Sequence, residues 1–104
     1  METMSDTHEI ADLQRKVAEV SATLRLLANE KRLLVLCELA QAGEMSVGAL
    51  AGRVGLSQSA LSQHLSLLRA DGLVATRRAG QTLHYRISDP RVSDLLAALR
   101  SIYC

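Results

Sequence analysis

The chain has no Trp and no Phe, only two Tyr and a single Pro. Without large aromatics a core has to be filled by Leu, Val, Ile and Ala, and one Pro leaves helices room to run. No apolar run approaches the roughly 18 residues that a membrane span needs, and the opening METMSDTHEI lacks a signal-peptide core. A cytoplasmic location with no membrane partner is the expectation. Cysteine is scarce as well: Cys37 and Cys104, far apart in a chain expected to stay in a reducing compartment, do not read as a permanent structural disulfide. There is no CxxC, no evident base beside either Cys and too little chain for a substrate cleft, so neither an enzyme nor a bound cofactor is expected. The remote alternative is a small thiol oxidoreductase. The three His (His8, His64, His84) are scattered, and no constellation with metal-ligand spacing is visible.

One absence is more informative than the rest. Between Ser57 and Leu68 there is no charged residue, although the segment has the spacing of a half-buried helix, with Leu61, Leu65 and Leu68 on one face and Ser59, Ser62, Gln63 and Ser66 on another. A solvated helix face ordinarily carries Lys and Glu. Short uncharged donors and acceptors are instead what lets a helix approach base edges and phosphates in a major groove. The segment reads as a DNA-recognition helix. Just before it, Ser46 can cap a short helix with the stripe Val47, Leu50, Ala51 and Val54, Gly55 supplies a left-handed stop, and Ser57 can cap the next helix. That is the punctuation of a helix-turn-helix.

Charge is distributed to match. Met45 to Ser88 carries five Arg (Arg53, Arg69, Arg77, Arg78, Arg86) against Asp71 alone, a balance of +4, while Met1 to Glu44 stands at −3 and Asp89 to Cys104 at zero. Positive charge therefore accompanies the motif.

At 104 residues the chain is expected to be one domain, 1–104, with residues 1–7 polar and loose. Ile10, Leu13, Val17, Val20, Leu24 and Leu27 alternate three and four apart, a helical seam that suits either intramolecular core or a dimer interface. Asn29 can cap a helix from Glu30 to about Gln41, apolar nearly all round and so expected to be the central buried helix, ended by Gly43. After Asp71 and Gly72, Leu73–Arg78 and Thr82–Ser88 alternate as strands about a turn through Ala79, Gly80 and Gln81. A hairpin there, with Arg77 and Arg78 near its tip, is a wing able to lie on phosphates. Asp89 and Pro90 start a last helix lined by Val92, Leu95, Leu96, Leu99 and Ile102. The fold expected is mostly α with one hairpin, a winged helix-turn-helix of order α-α-α-α-β-β-α.

The stretches ANEKRLLVLCELA, LSQSALSQHLSLLRADGLVATRR and GQTLHYRIS resemble the ArsR/SmtB family of bacterial repressors over essentially the whole chain. The resemblance implies a bacterial homodimer in which Leu13, Val17, Val20 and Leu24 meet Leu95, Leu99 and Ile102 across a two-fold axis, and a palindromic double-stranded operator. On that frame Gln58, Ser59, Ser62, Gln63 and His64 are assigned to base edges, His64 with packing as an equal alternative. Ser57, Arg77, Arg78, Gln81 and Thr82 are assigned to the DNA backbone.

Many members sense metals. Where one common site has paired Cys this chain has Met45, Ser46, Val47 and Gly48, and where another has Asp and His on the last helix it has Asp89, Arg91 and Asp94 without a His. The placement of Cys37 in LLVLCELA and Cys104 in SIYC resembles instead the thiol-based BigR, SqrR, YgaV and HlyU-like branch. By that resemblance the pair would respond to reactive sulfur species or oxidants, through a polysulfide bridge or a disulfide. A metal sensor using Cys37, Cys104 and a His, an HlyU-like anti-repressor and a winged helix that binds protein are the alternatives within the fold.

Overall fold

The computed structural model describes residues 10–104, and the expectations for residues 1–7 and for His8 lie outside them. From Val17 on, the elements are α1 (Val17–Leu27), α2 (Glu30–Ala42), β1 (Met45–Ser46), α3 (Val47–Val54), α4 (Gln58–Ala70), β2 (Val74–Ala79), β3 (Thr82–Ile87) and α5 (Pro90–Tyr103). Local chemistry sets most of the boundaries. Asn29, Ser46, Ser57 and Asp89 all sit in extended conformation and accept, through their side chains, the N–H groups of Arg32, Ala49, Ala60 and Arg91. Gly55, at φ 71° and ψ 39°, makes the left-handed exit from α3 that a residue with a Cβ adopts only at a cost.

The expected hairpin forms with β2 and β3 antiparallel, from Val74 opposite Ile87 to Ala79 opposite Thr82. Its loop is Gly80 and Gln81 alone; Gly80 takes φ 63° while Gln81 has no positive φ, the pattern of a II′ turn. The sheet has a third strand that the sequence pattern does not announce. Met45 and Ser46 pair with Tyr85 and His84, giving the order β1-β3-β2. Two residues are too few to show alternation, and Ser46 carries the signature of a helix cap instead. The consequence is that the wing is anchored to the chain just ahead of α3.

The core is aliphatic, as the composition demands. Val35, Leu36 and Leu39 from α2, Leu50 from α3, Leu61, Leu65 and Leu68 from α4, Leu73 and Val92 are all 0–1% exposed, and Tyr85, also buried, is the aromatic of the core.

Two expectations need correction. The seam from Ile10 to Leu27 is not one uninterrupted helix: residues 10–15 are helical, the chain turns at Lys16 (φ −109°, ψ 11°), and α1 starts at Val17. Of the two uses left open for this stripe, intramolecular core does not fit, since Ile10, Leu13, Val17 and Leu24 are each about half exposed and only Leu27 of α1 is buried. Likewise α2 is buried on one side only. Leu34 and Cys37 are exposed, and Cys37 borders an open apolar groove of about 890 Å³ that α1, α2 and α5 leave between them instead of closing over α2. Periodicity registers the apolar side chains on a helix and not how many neighbours cover it.

Candidate DNA interface and thiol groove

α4 is held from below by Leu61, Leu65 and Leu68, which leaves Gln58, Ser59, Ser62, Gln63 and Ser66 exposed along its outer side. The Ser57 hydroxyl accepts the Ala60 N–H at 3.1 Å. Its own proton is left to donate, so capping and a phosphate contact are compatible uses of one hydroxyl. Across a shallow cleft from Gln58 lie Gln81, Thr82 and Leu83 of the wing, with Ser46, Val47 and Gly48 as the floor. The fold thus brings the start of α4 and the turn of the wing onto one surface.

His64 differs from the other residues assigned to base edges. It is half-buried, with Nδ1 3.4 Å from Nη1 of Arg32, whose Nε–H donates to the Leu26 carbonyl at 2.7 Å. For Arg32 to donate, Nδ1 must be the unprotonated nitrogen. The packing alternative describes this geometry. Nearby, Lys31 Nζ donates to the Val54 carbonyl at 2.9 Å, so the first turn of α2 touches both helices of the helix-turn-helix.

The charge balance looks different once folded. Arg53 pairs with Glu38 at 3.1 Å and Arg77 with Glu44 at 2.7 Å, and both acids come from the negative segment of the sequence. The +4 of Met45 to Ser88 is therefore partly offset in space, and among the described residues Arg69, Arg78 and Arg86 make no ion pair. Counting along the chain misses acids delivered by tertiary contact. Glu44 is the residue missed here; it lies one position outside the basic segment, and only the pairing of β1 with β3 carries it to the wing.

The two cysteines, 67 positions apart in sequence, border the same groove. Leu24, Leu27, Leu33, Leu95, Leu96 and Leu99 form its walls, and both thiols are free. Partial burial against that wall pushes the Cys37 thiol up from its ordinary value, and the neighbouring Glu38 carboxylate pushes in the same direction. Arg100, on the last turns of α5, also lines the groove. Among the described residues no group of three or more His, Cys, Asp or Glu is arranged to hold a metal ion, and no helix is long and apolar enough to cross a membrane.

Comparison with known proteins places this architecture. The model of bacterial regulatory proteins of the arsR family matches residues 29–76, from the cap of α2 into β2. HlyU of Vibrio cholerae, a transcriptional activator, is 44% identical over 95 residues, covering 91% of this chain and 87% of that protein. The chain belongs to the ArsR family. Within it, the nodulation protein NolR of Rhizobium meliloti is 58% identical over 87 residues, 83% of this chain and 70% of NolR. The crystal structure of the transcriptional repressor BigR from Xylella fastidiosa matches with a TM-score of 0.85 at 37% identity, over 90% of this chain and 95% of that one. Membership makes the chain a DNA-binding transcriptional regulator with a winged helix-turn-helix fold, and its relatives are regulators, not enzymes. Regulators of this family bind operator DNA and are usually dimers.

Proposed function

We propose that the protein is a homodimeric repressor that binds a palindromic operator and releases it when Cys37 and Cys104 are bridged by reactive sulfur species or oxidants. The observation that carries the reading is that both cysteines border one groove, between α1, α2 and α5. Each thiol can take the outer sulfur of a small persulfide RSSH, releasing RSH, and the two resulting cysteine persulfides can condense to a trisulfide bridge with loss of hydrogen sulfide. An oxidant would instead remove two electrons and two protons to give the disulfide. Which bridge forms depends on separation, since a disulfide needs Cα atoms within about 7 Å and added sulfur spans more. Both thiols are exposed and so within reach of a small persulfide, and partial burial with the Glu38 carboxylate beside it disfavours the Cys37 thiolate.

The route from bridge to operator runs through two elements. α5 carries Leu95, Leu99 and Ile102, and α1 carries Val17, Val20 and Leu24, with Leu13 just ahead of it; these are assigned to the dimer interface. α2 carries Cys37 and, through Lys31 and Arg32, touches α3 and α4. Tying α2 to the end of α5 would change the spacing of the two recognition helices. A hundredfold loss of operator affinity needs only about 2.7 kcal/mol of difference between the states.

The test is fluorescence anisotropy on promoter DNA, with protein first reduced and then treated with a persulfide, and intact mass recorded on the same samples. Loss of binding together with an intramolecular gain of sulfur is the expected result, and Cys104→Ser should keep DNA binding while losing the response. Unchanged binding by protein carrying the bridge would overturn the sensing mechanism and leave the DNA-binding fold standing.

A further inference from the structure

Arg77, assigned to the DNA backbone by its place on the wing, already has a partner of the same chemical kind as a phosphate. Its Nε–H donates to both carboxylate oxygens of Glu44, at 3.2 and 3.1 Å, and its Nη2 donates to Oε1 at 2.7 Å. A guanidinium fork binds a carboxylate and a phosphate through the same edge. Glu44 lies ahead of β1, at one edge of the sheet, and Arg77 lies on β2 at the other, so the carboxylate spans the central strand. His84, directly opposite Arg77, and Arg86 also stabilise the Glu44 anion. The Arg77 guanidinium is itself the largest influence holding the Glu44 carboxyl below its ordinary range.

We infer that Glu44 is a specificity-determining residue that withholds Arg77 from DNA phosphates and so restrains sequence-independent binding. The inference rests on the reading of the wing as a DNA-contacting element. A phosphate arriving at this face has to displace the Glu44 carboxylate from the fork and does so against its negative charge. Non-specific affinity comes almost entirely from phosphate neutralisation, so one withheld cation lowers it on every sequence alike. Base-edge contacts from α4 are untouched. The ratio of operator to background binding therefore rises, and that ratio decides occupancy among many competing sites. Arg78, the next residue, and Arg86 on β3 are exposed and make no ion pair among the described residues, and they remain available cations of the wing.

The experiment compares the full chain, E44Q, R77Q and the double variant on a random-sequence duplex, by anisotropy between about 50 and about 200 mM salt. All four are first matched for thermal unfolding. We expect E44Q to bind about three- to tenfold more tightly at the low-salt end, with the slope of log affinity on log salt steeper by about one unit. R77Q should stay close to the starting protein, and Arg77→Gln should remove most of the E44Q gain. Weaker binding by E44Q, or loss of about one slope unit in R77Q alone, would show that Glu44 presents Arg77 to DNA, and would overturn the inference. An equal gain from E44Q with or without Arg77 would overturn it too, since charge alone would then be responsible. Absence of salt-dependent binding by the starting protein to any duplex would remove the DNA-contacting wing itself, whereas binding with an unmoved E44Q removes only the restraint.

Discussion

The reading head and the terminal helices are made of the same aliphatic residues and end up in opposite conditions. In α3, α4 and the wing, every large apolar side chain except Leu67 turns inward, to Leu50, Val54, Leu61, Leu65, Leu68, Val74 and Tyr85. In α1 and α5 only Leu27 and Val92 are buried and several large apolar side chains stay open: Val17 and Leu24 are about half exposed, Ile102 is 73% and Tyr103 is 81% exposed. One half closes on itself within a single chain and the other does not. Apolar surface left open in this way is unstable in water unless something covers it, and a contiguous patch marks an interaction surface. On the proposed function the contrast divides the work, with recognition in a head whose shape is fixed internally and regulation in helices whose packing a partner or a bridge can still alter.

The comparison breaks most sharply at a buried leucine of the head. Leu61→Ala removes a side chain that is fully enclosed, and a loss of about 2–5 kcal/mol in folding stability is expected, measured by urea unfolding of reduced protein. The matching change on the other half is Leu24→Glu. Because Leu24 is about half exposed, the fold of the chain should survive, while the dimer dissociation constant rises at least about tenfold, or about 1.4 kcal/mol, by sedimentation velocity. If Leu24→Glu unfolded the chain and left assembly unchanged, the division of labour would be wrong.

How much of this is legible in the chain follows the same division. Caps are local, and Asn29, Ser46, Ser57 and Asp89 are each found bonded to the N–H two or three residues on, so four helix starts can be read from single residues and their followers. The stripe Leu61, Leu65 and Leu68 is equally plain, because the three share one helix face and all three are buried. What cannot be read is tertiary. The stripe of α1 has the same spacing whether it is covered or bare, so its exposure is undecided until α2 and α5 are placed around it. Glu44 looks like the last acid of a negative segment, and only the β1–β3 pairing turns it into the partner of Arg77. The two cysteines resemble a family pair in sequence, while their shared groove is a product of three helices meeting.

The smallest expected effect concerns the joint between the terminal helices. Arg91 at the start of α5 donates to Glu19 of α1 at 2.8 Å and to Asp89 at 2.9 Å, and these bonds hold both carboxyls below their ordinary values. A depressed carboxyl stabilises the fold fully above its unfolded-state value and loses that contribution as the pH falls through its folded-state value. Glu19 and Arg91 are exposed, so solvent screening keeps the effect small. Arg91→Gln should therefore unfold close to the starting protein below the carboxylate range and fall slightly behind it above, with the difference shrinking in high salt. The reading head shares no residue with this joint, so hydrogen exchange in α4 should be the same in both proteins at every pH. A change reaching α4 would mean that the terminal helices and the head are one mechanical unit, and the separation of their roles would have to be given up.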